Sequence, residues 1–266
     1  MSRRRLDAEL VRRGLARTRT EAQAAVRGGL VVVGGRPAEK ASTLVAPDEP
    51  VELAGAPRRF VSRGGEKLDA ALSRFVVDVS GHDCLDAGAS TGGFTDCLLR
   101  HGAARVAAVD VGYGQLAWSL RSDPRVVVLE RKNVRTLAPS DLPFVPDIVV
   151  ADLSFISLRL VTPALAAVVA VGGELVLLVK PQFEAGPADV GTGGVVRDPG
   201  VWQRAISTVA EACSSAGLAP QGVMASPLKG PAGNVEFALH AIKGAAALPL
   251  ELDRAIGEGR RIGGLT

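Results

Sequence analysis

A glycine-rich turn joins a strand-like apolar run to a helix-like run, and this junction limits the chain to a small set of folds. The turn spans residues 85–94 and reads Leu-Asp-Ala-Gly-Ala-Ser-Thr-Gly-Gly-Phe. Gly88 and Gly92 have no Cβ, so the backbone there can adopt positive φ and approach a ligand closely. Asp110 ends the apolar run 105–109 about one βα unit later, where doubly wound folds place a carboxylate against ribose hydroxyls. The pattern predicts an α/β sheet whose strand ends meet at a nucleotide-type cofactor.

The spacing of the glycines distinguishes between the common classes of nucleotide-binding turn. A dinucleotide fingerprint, G-x-G-x-x-G, fits poorly, and a phosphate-binding P-loop requires G-K-[ST], but no lysine follows Gly92 or Gly93. The remaining pattern, D-x-G-x-x-x-G-G with Asp86 as the acid, resembles motif I of S-adenosylmethionine-dependent methyltransferases. An ordinary strand-to-helix turn is the alternative for the turn taken alone. The resemblance implies a cofactor site formed by Asp86, Gly88, Ser90, Thr91, Gly92, Gly93, Phe94 and Asp110.

Composition favours a soluble enzyme with a core of small aliphatic side chains. Of the 266 residues, 47% are hydrophobic but only 4% are aromatic, which suits parallel strands covered by helices on both faces. The longest apolar stretch, residues 163–179, is interrupted at residues 172–174 and is too short for a membrane helix. The basic amino terminus lacks the apolar segment of a secretory signal, so we expect a cytoplasmic protein. The three cysteines and three histidines are scattered, and their spacing predicts no disulfide framework and no metal site.

The first 60 residues form a basic region that differs from the rest of the chain. They contain 12 Arg or Lys and 7 Asp or Glu, whereas the rest contains 19 and 21. Clustered arginines suit phosphate contacts, although a solvated helix face can be equally basic. Apolar residues fall on one helical stripe over 6–15, a second helix is predicted over 20–26, and strand-like runs follow at 30–33 and 50–53. This order predicts a small α+β module.

Several short motifs in this module follow the pattern of a known RNA-binding domain. They are Leu6-Asp7, Gly14-Leu15, Arg19 and Gly29-Leu30-Val31. Residues 3–54 resemble the S4 domain on these motifs. The resemblance implies that the module binds structured RNA through its backbone and shape. The candidate RNA-binding side chains are Arg5, Arg17, Arg19 and Lys40.

The remaining chain alternates predicted strands and helices. A linker at 58–65 separates the module (1–57) from a domain (66–244) and a tail (245–266). A helix is predicted over 66–75, with Lys67 off its buried stripe, and a short helix over 250–256. The predicted strands are 83–86, 105–110, 126–129, 147–151, 174–179, 221–225 and 234–240. Because only a loop joins the last two, we predict a Rossmann-like class I methyltransferase fold, a mostly parallel seven-stranded sheet with an antiparallel end.

Four charged side chains, far apart in sequence, are predicted to converge at one edge of this sheet. Asp152 and Lys180 directly follow parallel strands, at the edge where open α/β sheets bind ligands. Lys67 lies on the helix that leads into the sheet, and Glu236 lies in the predicted last strand. A ribose hydroxyl attacks a methylsulfonium poorly until its proton is removed, and a lysine beside the cation can act as the base. We predict Lys180 as that base and Asp152 as the residue that orients it. Lys67 and Glu236 are predicted to hold the hydroxyl. For each of the four residues taken alone, a surface charge or a structural ion pair is the alternative.

The set Lys67, Asp152, Lys180 and Glu236 matches the K-D-K-E tetrad of FtsJ-type RNA 2′-O-methyltransferases. Further matching stretches lie at 62–68, 110–116, 152–157, 180–184 and 233–236. With the S4-like module ahead of it, the chain resembles the TlyA family. The resemblance implies 2′-O-methylation of cytidine in 16S or 23S ribosomal RNA, or in both, with S-adenosylmethionine as the donor and Asp152 helping to place it. Asn133 is expected to face the adenine, and Phe60 joins the cofactor-binding set as the aromatic residue that couples the two domains.

Other functions compete with this interpretation. Members of the family are also labelled hemolysins, but the sequence offers no membrane span to support a membrane-active toxin. A non-catalytic ribosome assembly factor would need no cofactor, and methylation of a small molecule would leave the arginine-rich module without a role. The glycine-rich loop 182–198 is expected to stay mobile until RNA binds, with a plain surface insertion as the alternative. We expect a monomer whose partners are ribosomal RNA and ribosomal subunits.

Overall fold

The chain divides into two units between Arg59 and Phe60. The computed structural model describes residues 3–16, 18–27, 29–53 and 59–265. The predicted end of the first domain, at residue 57, lies outside the described residues and stays a prediction. The second unit begins inside the stretch predicted as a linker, because its first helix already starts at Gly64.

The first unit packs two short helices against two small antiparallel sheets. Its elements are β1 (Arg4–Arg5), α1 (Leu6–Arg12), α2 (Arg19–Arg27), β2 (Val31–Val33), β3 (Arg36–Pro37), β4 (Leu44–Val45) and β5 (Val51–Leu53). β2 lies between β3 and β5, and β1 pairs with β4. Leu6 and Leu10 of α1 and Ala22 and Val26 of α2, at helical spacing, are buried against Val31. The β1–β4 pair was not predicted, because two-residue strands leave no periodicity to detect.

The second unit alternates strands with helices. Its helices are α3 (Gly64–Phe75), α4 (Gly93–Arg100), α5 (Trp118–Arg121), α6 (Leu158–Val168), α7 (Pro181–Glu184), α8 (Pro199–Ser215) and α9 (Leu252–Gly263). Its strands are β6 (Asp83–Ala87), β7 (Arg105–Asp110), β8 (Val126–Glu130), β9 (Ile148–Ala151), β10 (Glu174–Val179), β11 (Leu218–Ala225) and β12 (Phe237–Lys243).

These seven strands form one sheet in the order β11-β12-β10-β9-β6-β7-β8. The strands from β10 to β8 are parallel, whereas β12 runs antiparallel to both β10 and β11. The pairing of β11 with β12 is irregular between Pro220 and Gly222, while β10 and β12 pair without interruption. The predicted mostly parallel sheet with an antiparallel end is confirmed.

Helices cover both faces of the sheet. Successive residues of a strand point to opposite faces, so Leu85 packs with α6 and α8, whereas Cys84 packs with α3 and α4. Apart from Cys84 and Asp86 in β6, the interior of each parallel strand is aliphatic, as expected for parallel strands buried on both sides. The sheet and the helices on its two faces therefore form three packed layers. These layers support the strand-to-helix loops at the carboxyl edge of the sheet.

The structure changes several details of the sequence prediction. Glu236 directly precedes β12 and does not lie within it, and Lys67 is buried although it lies off the apolar stripe. The tail contains a helix, α9, that is longer than the predicted 250–256 and packs against α8 and β11. Among the described residues, no helix is both long and apolar enough to cross a membrane.

Candidate active site

A cavity of about 450 Å³ opens at the carboxyl ends of the parallel strands. Gly88 follows β6, Asp110 ends β7, Asn133 follows β8 and Asp152 follows β9. These four residues line the cavity together with Ser90. Small-molecule and cofactor pockets typically have volumes of about 300–1,000 Å³, so the cavity has room for a nucleoside cofactor. The fold thus brings five of the predicted cofactor-binding residues to one place.

Sequence reasoning did not identify several other residues that line the cavity. They are Val111, Gln115, Val134, Leu153, Ser154, Phe155, Ile156 and Val161. Most of them directly follow Asp110 or Asp152, so the strand-end position of each acid was a usable signal for the loop beside it. Their mainly apolar character gives the cavity the surface that a nucleobase requires.

Gly88 makes the close approach of the turn to the sheet possible. Its φ is +90°, and a Cβ at this position would lie 2.8 Å from the backbone oxygen of Asp152. Its N–H donates to the Val109 carbonyl at 2.8 Å, which ties the turn to β7. Any other residue here would be strained and would push apart the loops after β6 and β9.

Asp110 fixes two loops at once. Its carboxylate accepts hydrogen bonds from the Ser90 N–H at 2.8 Å and from the Gly112 N–H at 2.7 Å. Each carboxylate oxygen keeps a further acceptor position, because a carboxylate offers about four. A pair of ribose hydroxyls could donate to these positions, which fits the role predicted for Asp110.

Asp86 is a fully buried acid beneath the glycine turn. Its Oδ2 accepts a 2.6 Å hydrogen bond from the Thr95 hydroxyl, while its Oδ1 has no hydrogen-bond partner among the described residues. The pKa of Asp86 is raised to about 7, mainly by burial; the nearby Asp152 and Asp110 carboxylates contribute to the rise and the hydrogen bonds from Thr95 oppose it. The unpaired oxygen keeps an acceptor position that no described residue fills.

Six of the predicted cofactor-binding residues do not line the cavity itself, and the fully buried Asp86 is one of them. Thr91 is exposed and its carbonyl accepts from the Ala117 N–H, and Gly92 and Gly93 begin α4. Phe94 and Phe60 are buried in the apolar cluster between α3, α4 and the sheet. The structure therefore shows a packing position for the two phenylalanines, and cofactor contact by these six residues stays a prediction.

The strand register explains why the four charged residues converge. Val179 of β10 is opposite Phe237 of β12, so the next position beyond this pair places Lys180 beside Glu236. β9 runs parallel to β10 and ends at Ala151, which brings Asp152 to the same edge. The four side chains form two contacts at this edge, one between Lys67 and Glu236 and one between Lys180 and Asp152.

The two contacts differ in depth and in geometry. Lys67 Nζ donates to Glu236 Oε2 at 2.6 Å, and the two side chains are only 8% and 1% exposed. Lys180 Nζ lies 2.6 Å from Asp152 Oδ1, off the line of a hydrogen bond, and donates to Ser154 Oγ at 3.0 Å. Asp152 is 23% exposed and faces the cavity. Lys180 thus lies between the cofactor cavity and the deeper Lys67–Glu236 pair.

Gly230 makes room for Glu236. A Cβ on Gly230 would overlap Glu236 Oε1, and the Gly230 N–H donates to the Asn234 carbonyl at 2.9 Å. The Glu236 carbonyl in turn accepts from the Ser226 N–H at 2.8 Å. The connection between β11 and β12 therefore packs closely around Glu236 and holds this member of the tetrad in place.

The segment that follows Lys180 is attached to its surroundings by two buried polar side chains. Glu184 accepts hydrogen bonds from the Ser157 hydroxyl at 2.5 Å and the Leu158 N–H at 2.7 Å. Burial raises the pKa of Glu184 above its usual value, although both hydrogen bonds favour the carboxylate. The Asn234 side chain accepts from Val196 N–H at 2.9 Å and donates to the Gly194 carbonyl at 2.8 Å. The predicted mobility of the loop stays a prediction, whereas these tethers were not predicted.

An aromatic pair lies beside the cavity. Phe155 lines it, is 92% exposed and has a φ of +62°, which is unusual for a residue with a side chain. Its ring lies 5.3 Å from that of Phe183, and Lys180 Nζ lies 6.0 Å from the Phe183 ring. Exposed aromatic rings of this kind provide stacking surfaces for unpaired bases.

The candidate RNA-binding residues of the first unit meet at a buried acid or lie on the surface. Arg5 and Arg19 both donate to Asp7 Oδ2, at 3.0 and 3.1 Å, and the Arg5 hydrogen bond holds the pKa of Asp7 well below its usual range. Both guanidinium groups stay about half exposed, and Lys40 is exposed. Arg17 lies outside the described residues. The Asp7 carboxylate thus presents two arginines side by side, an arrangement suited to phosphate.

Comparisons with known proteins agree with this architecture. Residues 60–243 match the model of the FtsJ-like methyltransferases, and residues 4–51 match the model of the S4 domain. The chain is 54% identical over 236 residues to a 16S/23S rRNA (cytidine-2′-O)-methyltransferase, TlyA, of Mycobacterium tuberculosis, covering 88% of each chain. It is 34% identical over 185 residues to a 23S rRNA (cytidine-2′-O)-methyltransferase, TlyA, of Campylobacter jejuni, covering 69% of this chain and 71% of the relative.

A solved structure from Streptococcus thermophilus, described provisionally as a hemolysin, matches almost the whole chain. It is 38% identical, with a TM-score of 0.76, and the match covers 98% of this chain and 97% of the other. The hemolysin label and the methyltransferase label therefore occur on proteins of one architecture. This chain belongs to the TlyA family, in which an S4 domain precedes an FtsJ-like methyltransferase domain.

Proposed function

We propose that this chain transfers a methyl group from S-adenosylmethionine to the 2′-hydroxyl of a cytidine in ribosomal RNA. The observation that carries the proposal is the Lys180–Asp152 contact at the mouth of the cavity, because it joins a candidate base to the cofactor site. The relatives named as rRNA (cytidine-2′-O)-methyltransferases support the choice of substrate. We further propose a cytoplasmic location and a monomeric state.

The residues of the cavity fit the cofactor. The unpaired Asp86 Oδ1 and the cradle at Gly88, which a Cβ would fill, suit the polar amino-acid end of S-adenosylmethionine. Asp110 suits the ribose, and the apolar lining near Asn133 suits the adenine. When bound, S-adenosylmethionine supplies an electrophilic methyl group on a sulfonium centre. Lys67, Asp152, Lys180 and Glu236 must then handle the proton of the attacking hydroxyl.

In the proposed reaction Lys180 Nζ accepts the proton of the ribose 2′-hydroxyl as its oxygen attacks. Asp152 Oδ1, 2.6 Å from Nζ, stabilises the ammonium that results, and Ser154 Oγ holds Nζ in place at 3.0 Å. The Lys67 ammonium, paired with Glu236, is available to donate to the hydroxyl oxygen and hold it in line. General-base catalysis of this type is worth roughly 10²- to 10⁴-fold in rate.

Phe155 suits a base that has left its helix. The 2′-hydroxyl of a stacked nucleotide cannot reach a lysine that is only 9% exposed, so the target nucleotide must be splayed out of its helix. Stacking on the exposed Phe155 ring would stabilise it in this position. The S4 unit, with Arg5, Arg17, Arg19 and Lys40 as proposed contacts, would supply affinity for the surrounding RNA.

The test is transfer of a tritiated methyl group to purified 30S and 50S subunits, with the product mapped by primer extension at limiting nucleotide concentration. We expect a 2′-O-methyl stop in one or both subunits. Lys180→Ala is expected to abolish transfer while RNA binding persists, and Lys243→Met, at the far end of β12, serves as the matched lysine control. Substantial turnover by Lys180→Ala would refute its role as the base.

The same experiment separates the competing functions. Cofactor binding without incorporation into either subunit would favour another RNA substrate, and absence of cofactor binding would favour a non-catalytic assembly factor. Removal of residues 1–57 should weaken RNA binding and leave the second unit folded. Lysis of erythrocytes by the purified chain, retained by Lys180→Ala, would support a hemolysin.

A further inference from the structure

A cluster of three potential metal ligands lies where α3 and α4 pack together. Cys97 belongs to α4, and His101 follows its last residue, so the two are one helical turn apart on the same face. Asp69 reaches them from α3. One ligand atom from each residue lies within 4.8 Å of the other two. The scattered sequence positions did not predict this cluster, because only the packing of the two helices brings Asp69 to the other pair.

We propose that Asp69, Cys97 and His101 bind a divalent zinc-type cation. A thiolate, an imidazole and a carboxylate are the three ligand types that Zn²⁺ takes, at about 2.3, 2.0–2.1 and 2.0–2.2 Å. Ligand atoms around such an ion lie roughly 3.3–3.7 Å apart, so small side-chain rotations complete the shell from the present spacing. His101 Nε2 and Asp69 Oδ1 are already 2.8 Å apart, and the cation replaces the proton that they share.

Charge balance favours the cation at this depth. Cys97 is completely buried, and a lone thiolate there would be costly. A metal ion deprotonates a coordinating thiol, and one thiolate with one carboxylate neutralises a divalent ion. The side chains of Asp69 and His101 are 19% and 31% exposed, which gives the ion an entry path and leaves a fourth position for water. The geometry describes a neutral three-ligand site with one exchangeable position.

The position of the site gives it a structural consequence. Asp69 lies two residues after Lys67 on α3, and α4 begins at Gly93 in the glycine turn. A cation held by Asp69, Cys97 and His101 therefore connects the helix that carries Lys67 to the helix that extends from the cofactor turn. The site is independent of the proposed reaction, since none of its ligands belongs to the tetrad or lines the cavity.

The test is titration of the full chain with Co²⁺, which reports its ligands through its absorption. We expect one equivalent to give a thiolate-to-cobalt charge-transfer band in the near ultraviolet, lost on addition of Zn²⁺. Cys97→Ser should lose the band, whereas Cys213→Ser, at an equally buried cysteine on α8, should keep it. His101→Gln provides a second variant with the core cysteine intact and should bind cobalt at least tenfold more weakly. An absent band, or a band that survives in Cys97→Ser, would overturn the proposal and leave an Asp69–His101 ion pair only.

Discussion

The burial difference between the two lysine–carboxylate contacts predicts unequal costs of breaking them. Removing one member of a buried ion pair leaves an unpaired charge and costs about 3–5 kcal/mol. Glu236 is 1% exposed and Lys67 is 8% exposed, so Glu236→Gln should destabilise the second unit by about 3 kcal/mol, near the lower end of that range. Asp152 is 23% exposed and lines the cavity, and Lys180 keeps its hydrogen bond to Ser154 when the Asp152 charge is removed, so Asp152→Asn should cost about 1 kcal/mol.

Urea unfolding followed by tryptophan fluorescence measures the free energy of unfolding of the second unit, to which both contacts belong. The two tryptophans of the chain, Trp118 and Trp202, both lie in the second unit, so the signal is independent of the S4 unit. A double-mutant cycle with Lys67→Met and Glu236→Gln should give a coupling energy of about 2 kcal/mol, because the double variant has no unpaired charge. Equal costs for the two single carboxylate variants, or a coupling energy near zero, would refute the reasoning.

Four further predictions follow from single contacts. Burial raises the pKa of Asp86 from 3.8 to about 7, so the folded chain retains a proton that the unfolded chain loses between about pH 4 and pH 7. Wild-type stability should therefore fall as pH rises through this window, and Asp86→Asn should remove that fall in urea unfolding at several pH values. Gly88→Ala should weaken S-adenosylmethionine binding at least tenfold by calorimetry, since strain of about 1–3 kcal/mol opposes the turn; an unchanged Kd would contradict this. Asn234→Ala leaves the Val196 N–H and the Gly194 carbonyl unpaired, so it should speed proteolysis within residues 185–198. Trp202→Phe, which removes a different hydrogen bond to Val196, serves as the control. Lys40→Ala should lower the slope of log K against log salt for RNA binding by about 1, and an unchanged slope would remove it from the interface.

The central sheet could be predicted closely because most of its parallel strands are aliphatic runs with charged residues only at their ends. The strands at 105–110 and 174–179 have the predicted bounds, and the glycine turn lies at the end of β6 as expected. Strand ends were harder to predict where the sheet becomes antiparallel. Residues 234–236 were predicted to begin the last strand, but they precede β12 and belong to the connection that packs against Gly230. Local pattern cannot distinguish these cases, because strand pairing decides which residues join the ladder.

The burial of Lys67 shows what pattern reasoning omits. A helical stripe identifies buried positions by their apolar side chains, and a lysine beside that stripe is assigned to solvent. Lys67 is buried because Glu236, 169 residues away, provides a hydrogen-bonded partner. The same limit applies to Asp69, Cys97 and His101, whose proximity depends on the packing of two helices. Strand-end positions predicted that Asp152 and Lys180 converge, whereas the partner of Lys67 and the proximity of Asp69 to Cys97 and His101 depend on tertiary packing.

β12 and β10 pair without interruption, and the position of Glu236 relative to Lys67 depends on the register of this pairing. Side chains alternate between the two faces of a strand, so a slip of β12 by one residue would direct Glu236 away from Lys67 and move Phe237 to the opposite face of the sheet. The irregular pairing at Pro220 and Gly222 lies in β11, the outermost strand. It therefore leaves the register of β12 against β10, on which the tetrad depends, unchanged. Changes of chain length in β11 should thus be tolerated during evolution, whereas a single-residue deletion within β12 should separate the lysine from its acid.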